Sequence, residues 1–173
     1  MVTEDIFFSK LRRNFRKKNM NRSQSERLGA QFMQMALDNL MRDGYAAFAT
    51  LLISGESCTP VMLEQVNAEQ KERLGEFLRV LARSEAVDGI VIISEAWTLQ
   101  PGTAHLPLTR PVSEHPDRKE GVFVQVSSNE GDLLFTTTFD RDKNGDPIRP
   151  IEVSQQWQPP TAQRVGNFSN LYM

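Results

Sequence analysis

Two stretches of alternating residues, separated by a short turn, constrain the fold of this 173-residue chain more than any other feature. The alternating positions are Val122, Val124 and Val126 in residues 120–128, and Leu133, Phe135, Thr137 and Phe139 in residues 132–140. Side chains two positions apart lie on one face of a strand, so each stretch predicts a strand with one buried face. Asn129, Glu130 and Gly131 favour a turn, and they predict that the two strands form a hairpin.

Three further strands and two core helices are predicted upstream of this hairpin. Short apolar runs indicate a hairpin of residues 46–53 and 58–63 that turns at 54–57, and a strand over residues 90–98. A helix is predicted to begin with a capping box of Ser23 and Glu26 and to stop at Gly44. Asn67 and Gln70 predict the start of a second helix.

The strands occur in runs with short connections and do not alternate with helices. This order is typical of an α+β domain. We therefore expect a mainly antiparallel β-sheet of about five strands, with the helices packed on one face.

The charge is distributed unevenly along the chain. The first 22 residues have seven basic and two acidic side chains, a net charge of +5, so the remaining residues carry −7 of the overall −2. Phe7, Leu11 and Phe15 recur every four residues and predict an amphipathic helix over residues 4–18. We expect a basic arm (1–22), a single α+β domain (23–156) and an extended or flexible tail (157–173).

Two functions are open for the basic arm. In one, it binds nucleic acid through a cluster of basic residues. In the other, it packs on the acidic body or on a neighbouring subunit, with its charges in solvent. The basic residues concerned are Lys10, Arg12, Arg13, Arg16, Lys17 and Lys18.

Several classes of protein are disfavoured by the composition. Cys58 is the single cysteine, so the chain cannot form an internal disulfide, and it has no cysteine–histidine cluster for zinc. No apolar run approaches the roughly 20 residues of a membrane span, and the start of the chain does not resemble a signal peptide. Phosphate-loop, dinucleotide-binding and serine-hydrolase motifs are missing from the sequence. We expect a cytoplasmic protein without a cofactor, a bound metal or membrane contact.

The longest connection between predicted strands is the candidate functional region. It spans about twenty residues and contains both histidines, His105 and His115, before ending in an ionisable cluster over residues 113–120. Connections of this length in compact domains are usually functional or disordered. On the strand before it, Glu95 shares a face with Trp97 and two aliphatic residues. A carboxylate in such a position needs a partner or a function.

Three chemical roles are open for Glu95. It forms an ion pair with Arg118 that closes the base of the loop. Alternatively, Glu95 or Glu114 is a general base, with His115 as acid or base and Arg118 as an anion clamp, as in a small hydrolase. Metal binding with His115 is the third role, but the chain offers no pair of ligands at helical spacing. The same region also predicts a binding surface, for which the candidates are Trp97, Glu114, Asp117 and Glu120.

One pair of motifs in this region carries a family resemblance. The pair is Ser94-Glu95-Ala96-Trp97 followed by Pro111-Val112-Ser113-Glu114-His115-Pro116-Asp117-Arg118-Lys119-Glu120. It is similar to motifs of an uncharacterised family of bacterial and phage proteins, over roughly residues 46–146. That family has no known activity, so the resemblance implies a site and a bacterial or phage origin but no reaction.

Residues 140–146 match the opening of a calcium-binding loop, but position twelve of that loop is Ile151 where a glutamate is required. Asn144 and Gly145 form a turn dipeptide that accounts for the same residues without a metal. The sequence thus predicts a ligand-binding or protein-interaction module that could form homo-oligomers. The alternatives are a hydrolase-type enzyme and a nucleic-acid binder.

Overall fold

A computed structural model describes residues 20–61, 67–84, 86–99, 111–160 and 171. The helices are α1 (Arg22–Asp43) and α2 (Ala68–Arg83), and a 3-10 turn covers Val112–Glu114. The strands are β1 (Ala49–Ser54), β2 (Ser57–Val61), β3 (Gly89–Leu99), β4 (Arg118–Ser128), β5 (Gly131–Phe139) and β6 (Ser154–Gln158). All six form one antiparallel sheet in the order β2-β1-β3-β4-β5-β6. The predicted α+β class is confirmed, with six strands in place of about five.

The additional strand is β6, at the edge of the sheet beside β5. Its pairs with β5 run from Asp132↔Gln158 to Thr136↔Ser154. The sheet therefore includes Trp157 and Gln158, which the sequence assigns to the tail. The strand consists of serine, glutamine and one tryptophan, so it has none of the apolar alternation by which a strand is recognised in a sequence.

The two helices lie on opposite faces of the sheet, and not on one face as the sequence predicts. α1 packs against a core that includes Val91 and Ile93 of β3. α2 packs against a second core that includes Ile90 and Ile92 of the same strand. Because successive side chains of a strand point to opposite faces, these two cores are on opposite sides of β3.

The helix ends are set by local hydrogen bonds. The predicted capping box of Ser23 and Glu26 is wrong, because the cap of α1 is Asn21, whose side chain accepts the N–H of Gln24 while Gln24 accepts the N–H of Asn21. The predicted box of Asn67 and Gln70 at α2 is confirmed. α1 ends at Gly44, which is left-handed (φ 82°) and donates its N–H to the carbonyl of Leu40, as predicted.

Leu171, near the end of the chain, is fully buried in the core beneath α2. Leu171 thereby joins Trp157 and Gln158 as a residue of the predicted tail that belongs to the folded domain. The predicted arm helix, its basic residues from Lys10 to Lys18, and His105 all lie outside the described residues. Neither of the two described helices is long and apolar enough to cross a membrane.

Candidate functional site

The candidate site is built on the neighbouring strands β3 and β4. They pair along their full length, from Gly89↔Ser128 to Leu99↔Arg118, so the strands before and after the long connection are neighbours as expected. Trp97 is opposite Glu120 in this register. The pairing brings the predicted residues of both strands to one end of the sheet, beyond the C-terminal end of α1.

Glu95 is held by groups that the sequence does not predict. Its Oε2 accepts the backbone N–H of Ala46 at 2.7 Å, just after α1 ends. Its Oε1 lies 3.7 Å from Nη2 of Arg141, and the Glu95 side chain is 24% exposed. The predicted ion pair of Glu95 with Arg118 is therefore wrong, because Arg141 takes the place of Arg118.

Arg141 links three parts of the chain. Its Nε and Nη2 bind Oε2 of Glu120 at 2.8 and 2.7 Å. Its Nη1 donates to the carbonyls of Gly44, at the end of α1, and of Gly145. The hydrogen bond to Glu120 raises the pKa of Arg141 above its ordinary value, so the guanidinium stays charged. This network fixes the end of α1 against β3 and β4.

The turn after β5 positions Arg141. Phe139 is opposite Glu120 on the neighbouring strand. Arg141 follows Phe139 by two positions, so it lies on the same face of the sheet as Glu120. Oδ1 of Asp142 accepts the N–H groups of Asn144 and Asp146, and Gly145 is left-handed (φ 89°). The segment that resembles a calcium loop is thus a tight turn, in which the carboxylate of Asp142 binds backbone N–H groups.

Arg118 and Trp97 form a stacked pair at the surface. The Arg118 guanidinium lies 4.7 Å from the centroid of the Trp97 ring. Trp97 remains 42% exposed. The guanidinium also donates a long hydrogen bond of 3.4 Å from Nη1 to the carbonyl of His115. Within the described residues it has no carboxylate partner.

His115 serves the turn that leads into β4. Its Nδ1 accepts the backbone N–H of Asp117 at 3.1 Å, so the ring proton of the neutral imidazole is on Nε2. The Asp117 carboxylate, 3.8 Å from Nδ1, is exposed, as is Glu114. This bond gives His115 a role in shaping the turn.

The three candidate catalytic residues have separate partners. Glu95 binds Ala46 and Arg141, His115 binds the Asp117 backbone, and Arg118 stacks on Trp97. In the part of the chain that the structure describes, no hydrogen bond or ion pair joins Glu95 to either of the other two. No group of three or more His, Cys, Asp or Glu side chains among those residues is placed to hold a metal.

The described residues also line two clefts away from the candidate site. One, of about 310 Å³, lies between the start of α1 and the β1–β2 turn and is lined by Arg27, Asp88 and Cys58 among others. Burial raises the pKa of the Cys58 thiol, which reduces its reactivity as a nucleophile. The other, of about 220 Å³, has Phe123 and Leu134 in its lining. Glu95, His115 and Arg118 line neither cleft.

The chain matches no known family model, and neither the curated proteins nor the solved structures include a match to it. The geometry of the site is therefore the basis for a functional proposal.

Proposed function

We propose that this protein is an interaction module that binds an extended segment of a partner protein. The binding surface, here called the Trp97 surface, consists of Trp97, Arg118 and the edge of β3 from Ala96 to Leu99. The exposed stack of Arg118 on Trp97 is the observation that carries the proposal.

Tryptophan and arginine are the residue types that contribute most often to binding energy at protein interfaces. Trp97 presents a large apolar ring to solvent, and the stacked guanidinium restricts the ring's motion. A side chain that is already held in place loses less conformational entropy when a partner covers it. The stack is therefore suited to anchor a partner.

The backbone of β3 next to the stack supports strand addition. β1 pairs with β3 only from Gly89 to Ile93, whereas β3 continues to Leu99. From Ala96 to Leu99, β3 pairs with β4 on one side, and no described strand pairs on the other. Unpaired N–H and C=O groups at such an edge bind extended peptides through main-chain hydrogen bonds.

The charges at the surface define the chemistry of the partner. Arg141 is neutralised by Glu120 and Glu95, but Arg118 has no carboxylate partner among the described residues. A guanidinium binds a carboxylate through two parallel hydrogen bonds. We infer that the bound segment presents an apolar side chain to Trp97 and an acidic side chain to Arg118.

A random peptide library displayed on phage tests this proposal. We expect the full-length protein to enrich peptides that combine an apolar and an acidic residue. Synthetic peptides of this type should lose at least tenfold in affinity with Trp97→Ala and keep it with Val80→Ala, which removes a side chain that is 63% exposed on α2. No enrichment, or equal affinity for Trp97→Ala and the native protein, would contradict the proposal.

A second experiment tests the proposed contact between Arg118 and the acidic side chain of the peptide. Replacing the acidic residue of the peptide by its amide should weaken binding to the native protein but not to Arg118→Gln. If both proteins lose the same affinity for the amide peptide, Arg118 is not the group that recognises the carboxylate.

A further inference from the structure

The two edges of the sheet differ in how they are protected. β2 has Pro60 within the strand, and proline lacks the N–H that a neighbouring strand would need. β6 is Ser154-Gln155-Gln156-Trp157-Gln158, without proline or a charged residue. Edge strands of monomeric proteins usually carry charges, prolines or bulges that prevent pairing with another chain. In the described residues, β6 has none of these features.

Exposed apolar residues border the same edge. Nine large apolar side chains of the described residues are exposed. We group five of them, because they lie either in the segment that leads into β6 or on α1, which an ion pair joins to that segment. Ile148, Ile151 and Val153 precede the strand, and Ile151 is 99% exposed. The hydroxyl of Thr137 on β5 donates to the carbonyl of Glu152, which holds this segment beside the sheet.

The other two members of the group, Met35 and Met41, are on α1. Asp38 of α1 binds Arg149 at 2.9 Å and so joins the helix to the segment before β6. Met35 and Met41 are three residues before and after Asp38, so they flank it on the helix surface. We call Met35, Met41, Ile148, Ile151 and Val153 the β6 patch.

We propose that β6 and the β6 patch form the interface of a homodimer, in which β6 of one protomer pairs antiparallel with β6 of its partner. The sheet would then continue through twelve strands across a twofold axis. This surface is separate from the Trp97 surface, and the proposal does not depend on the function proposed above.

The charges favour a second copy as the occupant. Asp38 and Arg149 neutralise each other, and the one further charged residue in residues 148–153 is Glu152, which is exposed. Glu152 precedes Gln156 by four residues, so its two copies lie on opposite sides of a twofold axis at Gln156 and do not meet. In an antiparallel pair centred on Gln156, Ser154 is opposite Gln158 and Gln155 is opposite Trp157. No like charges meet along the strand, and the side-chain amides and hydroxyls can bond across the axis. A surface that complements itself is the kind that forms a twofold interface.

Sedimentation velocity of the full-length protein tests the dimer. We expect a species of twice the 19.7 kDa chain mass at micromolar concentrations. Ile151→Glu should shift the protein to the monomer, because it places a further charge in the β6 patch without changing a buried residue. Val80→Glu, a matched change on α2, should remain a dimer.

A native protein that stays monomeric up to about 100 µM, a concentration at which even a weak twofold interface is populated, would overturn the proposal. A dimer that Ile151→Glu does not dissociate would overturn it as well. The participation of the strand is tested by amide hydrogen exchange: protection of Ser154–Gln158 should rise with protein concentration and be lost in Ile151→Glu. Trp97→Ala should remain a dimer, which separates this interface from the Trp97 surface.

Discussion

Arg141 holds Glu120 through two nitrogens of its guanidinium, with Nε at 2.8 Å and Nη2 at 2.7 Å from Oε2. The same side chain reaches Glu95 and the carbonyl of Gly44. One residue thereby connects the end of α1, two central strands and the turn after β5. This network holds together the strands on which the candidate site is built.

We expect Arg141→Ala to lower the free energy of unfolding by about 2 kcal/mol, because Glu95 and Glu120 lose their cation in a partly buried setting. Urea denaturation followed by circular dichroism measures the change. The control is Arg73→Ala, since the ion pair of Arg73 with Glu69 is largely exposed and contributes less than about 1 kcal/mol. Equal losses for the two variants would mean that the network adds no more than a surface pair.

The sequence predicts where Glu95 lies but not which cation it meets. Arg118 is the cation that lies nearest to Glu95 along the predicted strands. In the structure Arg118 is part of the site, but its guanidinium stacks on Trp97 and does not pair with Glu95. Arg141 follows β5, and its position depends on the Glu120↔Phe139 register and on the turn formed by Asp142. Register between strands depends on tertiary packing, so a single strand pattern cannot supply it.

The sequence of β3 does contain a pattern that indicates helices on both faces of the sheet. Residues 90–93 of β3 are four consecutive apolar residues, and all four are buried. A continuous apolar run is typical of a strand covered on both faces. The alternating pattern of β4 and β5 favours one covered face, and in the structure it is the face beneath α1. Among the described strands, β6 alone has no apolar alternation in its sequence, and it is placed by its pairing with β5.

The N-terminal cap of α1 is a second test of the structure. Asn21→Ala should cost about 1 kcal/mol of stability, because the N–H of Gln24 loses its acceptor. Ser23→Ala should change the stability by less than about 0.5 kcal/mol, since Ser23 lies within the first turn of α1. Thermal unfolding of both variants distinguishes the two caps. A larger loss for Ser23→Ala would restore the cap that the sequence predicts.

The burial of Leu171 predicts that the end of the chain contributes to stability. Leu171→Ala removes a fully buried side chain from the core beneath α2 and should cost about 3 kcal/mol. Val80→Ala, at a position on α2 that is 63% exposed, is the control and should lower the stability by no more than about 0.5 kcal/mol. Chemical denaturation measures both. A Leu171→Ala protein as stable as the native one would show that this leucine is not part of the core.

The central claim is that β3 accepts an added strand beside the stack of Arg118 on Trp97. Amide hydrogen exchange of the full-length protein, with and without a peptide selected from the library, tests it most directly. We predict that the peptide slows exchange of alternate amides between Ala96 and Leu99, the ones that point away from β4, and leaves Ser154–Gln158 unchanged. A bound peptide that protects none of the amides from Ala96 to Leu99 would contradict the claim.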